Sequence, residues 1–188
     1  MTTTVPSALV AQDGGIKLAH LHPEVSAAFQ ASPNVKLSGD DVQMVYSATG
    51  AYASGTTQTP ISTSVPTNTQ GDQYLSATIT PTSATNQLVI DIILHVSTSN
   101  AGSHFTAALF QDAGANALAC GISYAPAANC MLQVRLRHVM AAGTTSATTF
   151  KVRCGGNVAA TVSFNGTAAG TLLGGTMLSS ISITERKP

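Results

Sequence analysis

From Tyr74 to Thr184 the chain repeats one device: a short apolar or alternating run, then a cluster of Gly, Asn, Ser or Pro. Such punctuation at intervals of about 10–15 residues leaves room for strands and turns but not for helices of ordinary length. The runs are 74–79, 87–96, 105–110, 133–140, 148–153, 160–164 and 177–184, with an earlier one from Val42 to Ala48. About eight strands suffice for two packed sheets, so the sequence predicts an all-β fold: a jelly-roll-like antiparallel β-sandwich. Composition agrees with this. Only 9% of residues are charged, Trp is absent, and much of the polar remainder is Thr, Ser, Asn and Gln, which favour strands and turns over helix.

Ahead of the sandwich the pattern changes. Residues 5–15 read as loop, and Pro23 to Phe29 allows at most one short helix before Ser32-Pro33-Asn34 stops it. The Thr/Pro-rich stretch from Ser54 to Thr69 reads as a link. The expected division is therefore an N-terminal attachment arm with its linker over 1–65 and a sandwich domain over 66–188. In the arm, Leu18, Leu21, Val25 and Phe29 are the candidate apolar anchor. Up to Asp72 acids outnumber Lys and Arg five to two; beyond it bases outnumber acids six to three. No run of 18 apolar residues offers a membrane-spanning helix, and no basic flank precedes an apolar run at the N-terminus, so neither membrane insertion nor a secretory signal is expected.

The run from Leu88 to Val96 carries more apolar character than one solvated strand needs. Its even positions are all apolar, while Val89, Asp91, Ile93 and His95 make an opposite face too apolar for free solvation. Those four residues form a candidate subunit interface; a covering loop or the N-terminal segment is the other explanation. Gln133–Met140 and Thr148–Cys154 read as a hairpin, with Arg135, Arg137, Lys151 and Arg153 on one face. Like charges opposed across strands are destabilising, which makes this a candidate partner- or anion-binding patch, with a solvated face as the alternative. Nucleic acid is not expected, since no aromatic platform accompanies the bases.

Chemistry is sparse. There is no Gly-x-Ser-x-Gly, phosphate loop, zinc-protease motif or dinucleotide fingerprint. The sandwich portion has Asp91, Asp112 and Glu185 as its acids, too few and too scattered to suggest a glycosidase. Asp91 and His95 could pair on one strand face, yet no nucleophile joins them. His20-x-His22 supplies too few ligands for a metal in one chain. No enzyme activity, catalytic residue, metal or cofactor is expected.

Three stretches carry a resemblance: Thr106 to Asp112; Leu136-Arg137-His138 through Gly143 to Arg153; and Phe164-Asn165-Gly166-Thr167 through Gly174-Gly175 to Glu185. From about Val65 to Lys187 the chain resembles the C-terminal domain of tailed-phage tail-fibre proteins. The resemblance implies a homotrimeric sandwich on a phage particle, made in the host bacterial cytoplasm and located in the virion tail. Its arm would bind other virion proteins and its distal domain a host surface glycan. The absence of a long repetitive shaft leaves a second expectation, a capsid decoration (cement) protein that stabilises the head.

Overall fold

The computed structural model describes residues 39–188. All eight strands expected from the punctuation form. They are β1 (Asp41–Thr49), β3 (Asp72–Ile79), β4 (Gln87–Thr98), β5 (Ser103–Gln111), β7 (Leu132–Ala141), β8 (Thr148–Gly156), β9 (Val162–Phe164) and β12 (Ser179–Arg186). Four further strands join them: β2 (Ala53–Gly55), β6 (Ala119–Ala125), and the small pair β10 (Gly166–Thr167) and β11 (Gly170–Thr171). The fold is an all-β, jelly-roll-like sandwich of antiparallel sheets.

The first sheet runs β1-β12-β4-β7, with β9 continuing beside the far end of β4 and β2 beside β9. The second runs β3-β8-β5-β6. Between them lie Phe105, Phe150, Phe164, Leu88, Ile90, Ile92, Leu94, Leu109, Ile181 and Ile183, all fully buried. Apart from Phe164 of β9, these come from alternate positions of β4, β12, β5 and β8, as the period of a half-buried strand requires. The edges nearly close. Ser123 of β6 donates to the Gln133 carbonyl of β7 at 3.4 Å, and Gln43 of β1 donates to the Thr80 carbonyl after β3 at 2.8 Å.

Two side-chain hubs pin the sheets. Glu185 on β12 is buried and accepts hydrogen bonds from Gln43, Asn86, the Thr82 hydroxyl and the Thr82 and Ser83 amides, at 2.6–3.2 Å. Burial alone would raise its pKa, but bonds from Gln43, Asn86 and Thr82 outweigh that and hold it down at about 2. Asn165, in the left-handed region at φ 54°, donates to the Thr49 and Ala51 carbonyls and accepts from Ser179 at 2.6 Å. Asn165-Gly166 therefore bends the chain from β9 into β10. Its amide is spent inside the fold.

Two expectations need correction. The arm and linker were expected to end at residue 65, but β1 and β2 are strands of the first sheet, and the described residues 39–188 belong to one compact unit. The Thr/Pro-rich stretch does not separate domains. It lies over the outer face of the second sheet, held by Thr59 N to Gly156 O, Asn68 N to Ala115 O and Ala117 N to Pro66 O, each 2.9 Å. Under it, outward-pointing Thr106, Ala108 and Phe110 are only 8%, 2% and 1% exposed. Apolar character on both faces of β5 is thus explained by the chain's own cover. The anchor residues Leu18, Leu21, Val25 and Phe29, and His20 and His22, lie outside the described residues.

Candidate functional site

The outer face of the first sheet has no such cover among the described residues. Register places its side chains in rows: Met44–Thr184–Val89–Val139, then Tyr46–Ser182–Asp91–Arg137, then Ala48–Ser180–Ile93–Arg135, with His95 opposite Gln133 beyond. Met44, Tyr46 and Val139 are 64%, 59% and 49% exposed. The first row is apolar apart from Thr184; the next two are mixed. Small Ser180 and Ser182 between the larger side chains of β1 and β7 leave a groove of about 620 Å³, lined by Tyr46, Asp91, Ile93, Arg135, Arg137 and the two serines.

The four residues expected at an interface, Val89, Asp91, Ile93 and His95, do share this face, but with different neighbours. Val89 sits in the apolar row, Asp91 and Ile93 in the groove. The proposed Asp91–His95 pair does not form: Asp91 faces Arg137, with Nε 3.8 Å from Oδ1, and His95 Nε2 lies 3.2 Å from the Gln133 amide nitrogen. His95 Nδ1 is buried without a hydrogen-bond partner among the described residues, and burial lowers its pKa. A neutral ring is favoured there, since burial penalises the charge and protonating Nε2 would set a donor against the donating Gln133 amide.

The basic patch is divided. β7 and β8 do not pair with each other: β7 adds to β4, while β8 lies between β3 and β5. Arg135 therefore faces Ile93 rather than Arg153. Lys151 donates to the Asp112 carbonyl at 2.9 Å, and Arg153 donates to the Gln70 and Gly71 carbonyls at 2.9 and 2.6 Å, fastening the covering segment. Arg135 and Arg137 remain on the open face. The guanidinium of Arg135 has no partner among the described residues, nor have the hydroxyls of Ser180, Ser182 and Tyr46. Sequence reasoning missed these three hydroxyls. Tyr46 and the even positions of β12 were visible as strand alternation, but nothing local said which neighbours they would meet.

The remaining acids are held by fold contacts. Asp72 accepts from the Thr57 amide and hydroxyl at 3.0 and 2.8 Å, and Asp112 from the Thr149 amide and Thr148 hydroxyl at 2.7 and 2.8 Å. No group of three or more His, Cys, Asp or Glu with metal-site geometry occurs among the described residues. The cysteines differ in setting. Cys154 is buried, and burial with nearby Asp72 pushes its thiol up to about 12, while Cys120 is exposed rather than a core residue.

Comparison with known proteins decides the kinship. Residues 56–188 match the family model Chlam_vir, described as the Pgp3 C-terminal domain. The chain belongs to that family. This membership overturns the phage tail-fibre resemblance, and with it the tail-fibre and cement-protein functions and the location in a virion. The resemblance rested on turn and strand residues (Asn165-Gly166, Gly174-Gly175, the Thr-rich hairpin loop), which any sandwich of short strands uses. No curated protein matches the sequence. Among solved structures, the Eiger TNF of S. frugiperda is 8% identical, with 76% of this chain and 92% of that one covered and a TM-score of 0.42. A structure of infectious bursal disease virus, Gx strain, is 16% identical over 78% of this chain and 37% of that one, with a TM-score of 0.36. Likenesses this distant carry no argument about function.

Proposed function

We propose that this chain is a non-catalytic recognition module that works as a homotrimer and meets its partners through the open face of the first sheet. One observation carries the reading: among the described residues, one outer face is covered by the chain's own segment and the other is open, with Met44, Tyr46 and Val139 exposed. Exposed apolar side chains grouped on one face mark contact surfaces. The row Met44–Thr184–Val89–Val139 is the part suited to a second copy, because it carries no charge and its outer members Met44 and Val139 are exposed. The neighbouring groove, with its hydroxyls and arginines, is suited to a polar ligand. A non-enzymatic role is supported by how the acids are used: Glu185, Asp72 and Asp112 are committed to amides and hydroxyls, and Asp91 lies beside a cation.

Sedimentation of the full chain tests assembly. A homotrimer has three times the 19.1 kDa chain mass, and Val139→Glu should shift the population to monomer. A wild-type chain that stays monomeric at every accessible concentration sinks the trimer. Recognition is tested by exposing the full chain to an arrayed panel of glycans and peptides. Retention that Tyr46→Ala abolishes is the expected result, and a panel that retains nothing counts against it.

A further inference from the structure

We infer that the groove on the open face takes an acidic sugar bearing a single carboxylate, of the sialic or uronic acid class; this rests on the recognition reading above. The groove brings together complementary groups. Arg135 presents a guanidinium with no partner among the described residues, and guanidinium and carboxylate match as a two-pronged hydrogen-bonded pair. Arg137 lies next to it on β7, two residues along on the same face, only loosely engaged with Asp91 at 3.8 Å. Both are free to turn toward a bound anion.

The rest of the lining selects among anions. Asp91 stands between the arginine side and the serines, opposite Ser182 on one flank and Arg137 on the other. With two cations and one carboxylate the groove carries a net charge of +1, which suits one negative group. A polysulfated sugar or a phosphomonoester would bring a second negative charge against Asp91 and be repelled. An acidic peptide would bring a carboxylate, but its backbone offers only one donor and one acceptor per residue to the other groups of the groove. A sugar uses all of them: its hydroxyls donate to Asp91 and exchange hydrogen bonds with Ser180 and Ser182 on the floor, while the exposed Tyr46 ring gives an apolar wall and a hydroxyl. At about 620 Å³ the groove falls within the range of small-ligand sites, about 300–1,000 Å³. The open trough form suits the end of a longer glycan.

Saturation-transfer NMR on the full chain, with sialyllactose, a glucuronate-containing disaccharide, a disulfated disaccharide and neutral lactose as probes, tests this. At least one of the two carboxylate sugars should show transfer to the acidic residue, with the sulfated and neutral sugars silent. Which one responds identifies the source of the carboxylate. Arg135→Gln, a substitution at an exposed position whose folding circular dichroism can verify, should weaken that binding about tenfold or more, the loss expected of a charged hydrogen-bonded pair. Asp91→Asn should let the sulfated sugar in. Transfer to lactose and the acidic sugars alike, unchanged in Arg135→Gln but lost in Tyr46→Ala, would overturn the carboxylate assignment and leave recognition standing. Silence from every probe overturns the assignment, with the panel above deciding separately on recognition.

Discussion

The two outer faces of the sandwich were built from similar strands and met opposite fates. On the second sheet, Thr106, Ala108 and Phe110 point outward from β5 and are buried, because residues 56–71 cross over them and are fastened by backbone bonds and by Arg153. On the first sheet, Met44, Tyr46 and Val139 point outward and stay in solvent. The difference teaches how to read apolar residues on the nominally wet side of a strand. Where the described part of the chain supplies a cover, they are core residues; where it leaves them exposed, they are candidates for contact.

The comparison can be broken most sharply by truncation on both faces. Phe110→Ala should destabilise the fold by about 3–5 kcal/mol, the cost of emptying an aromatic core site, read as a fall in the denaturant midpoint. Tyr46→Ala, measured under conditions that hold the chain monomeric, should change stability by no more than about 0.5 kcal/mol. Equal effects at the two sites would erase the distinction.

Glu185 comes next. Its five donors leave Glu185→Gln with an amide group facing other donors, and a loss of about 1–3 kcal/mol follows from leaving buried groups unsatisfied. The same carboxylate gives a pH signature. Its folded pKa, about 2, lies below the ordinary value of 4.5, so its stabilisation is fully present above about pH 4.5 and is lost as pH falls through about 2. Acid unfolding monitored by circular dichroism should show this loss in the wild type, and the Gln variant should lack that component.

A more local effect is expected where the cover is seated. A Cβ at Gly155 would stand 2.5 Å from the Thr57 carbonyl oxygen and 2.9 Å from Gly71 Cα. Gly155→Ala should therefore push the covering segment away at a cost of about 1–3 kcal/mol. Hydrogen exchange should speed up at Thr59, Asn68 and Gly71 while the amides of β4 stay protected. Uniform acceleration would mean that the cover is not a separate layer.

The strands were legible to different degrees, for physical reasons. β3, β4, β5, β7, β8 and β12 announce themselves through β-branched and large apolar residues at every second position. β6, with the sequence ACGISYA, was not foreseen because Ala, Cys, Gly and Ser carry little strand signal; it is a strand because β5 offers it an edge. Half of the candidate site, Arg135, Arg137, Asp91 and Ile93, was visible as residues worth attention. Their grouping was not: β7 and β8 read as a hairpin because they adjoin in sequence, whereas they belong to different sheets.

The sequence by itself determined that this chain forms strands rather than helices, where most of those strands lie, and which of their faces turn inward, because side-chain alternation and turn residues are local properties. It also determined the kinship, since residues 56–188 match the Pgp3 C-terminal domain family. Only the tertiary structure decided which strands share a sheet, that a Thr/Pro-rich stretch is a lid over β5 rather than a linker, and that Arg135 faces Ile93 rather than Arg153. Strand pairing joins residues far apart in the chain, and a strand's pattern specifies its inward face without specifying its neighbour.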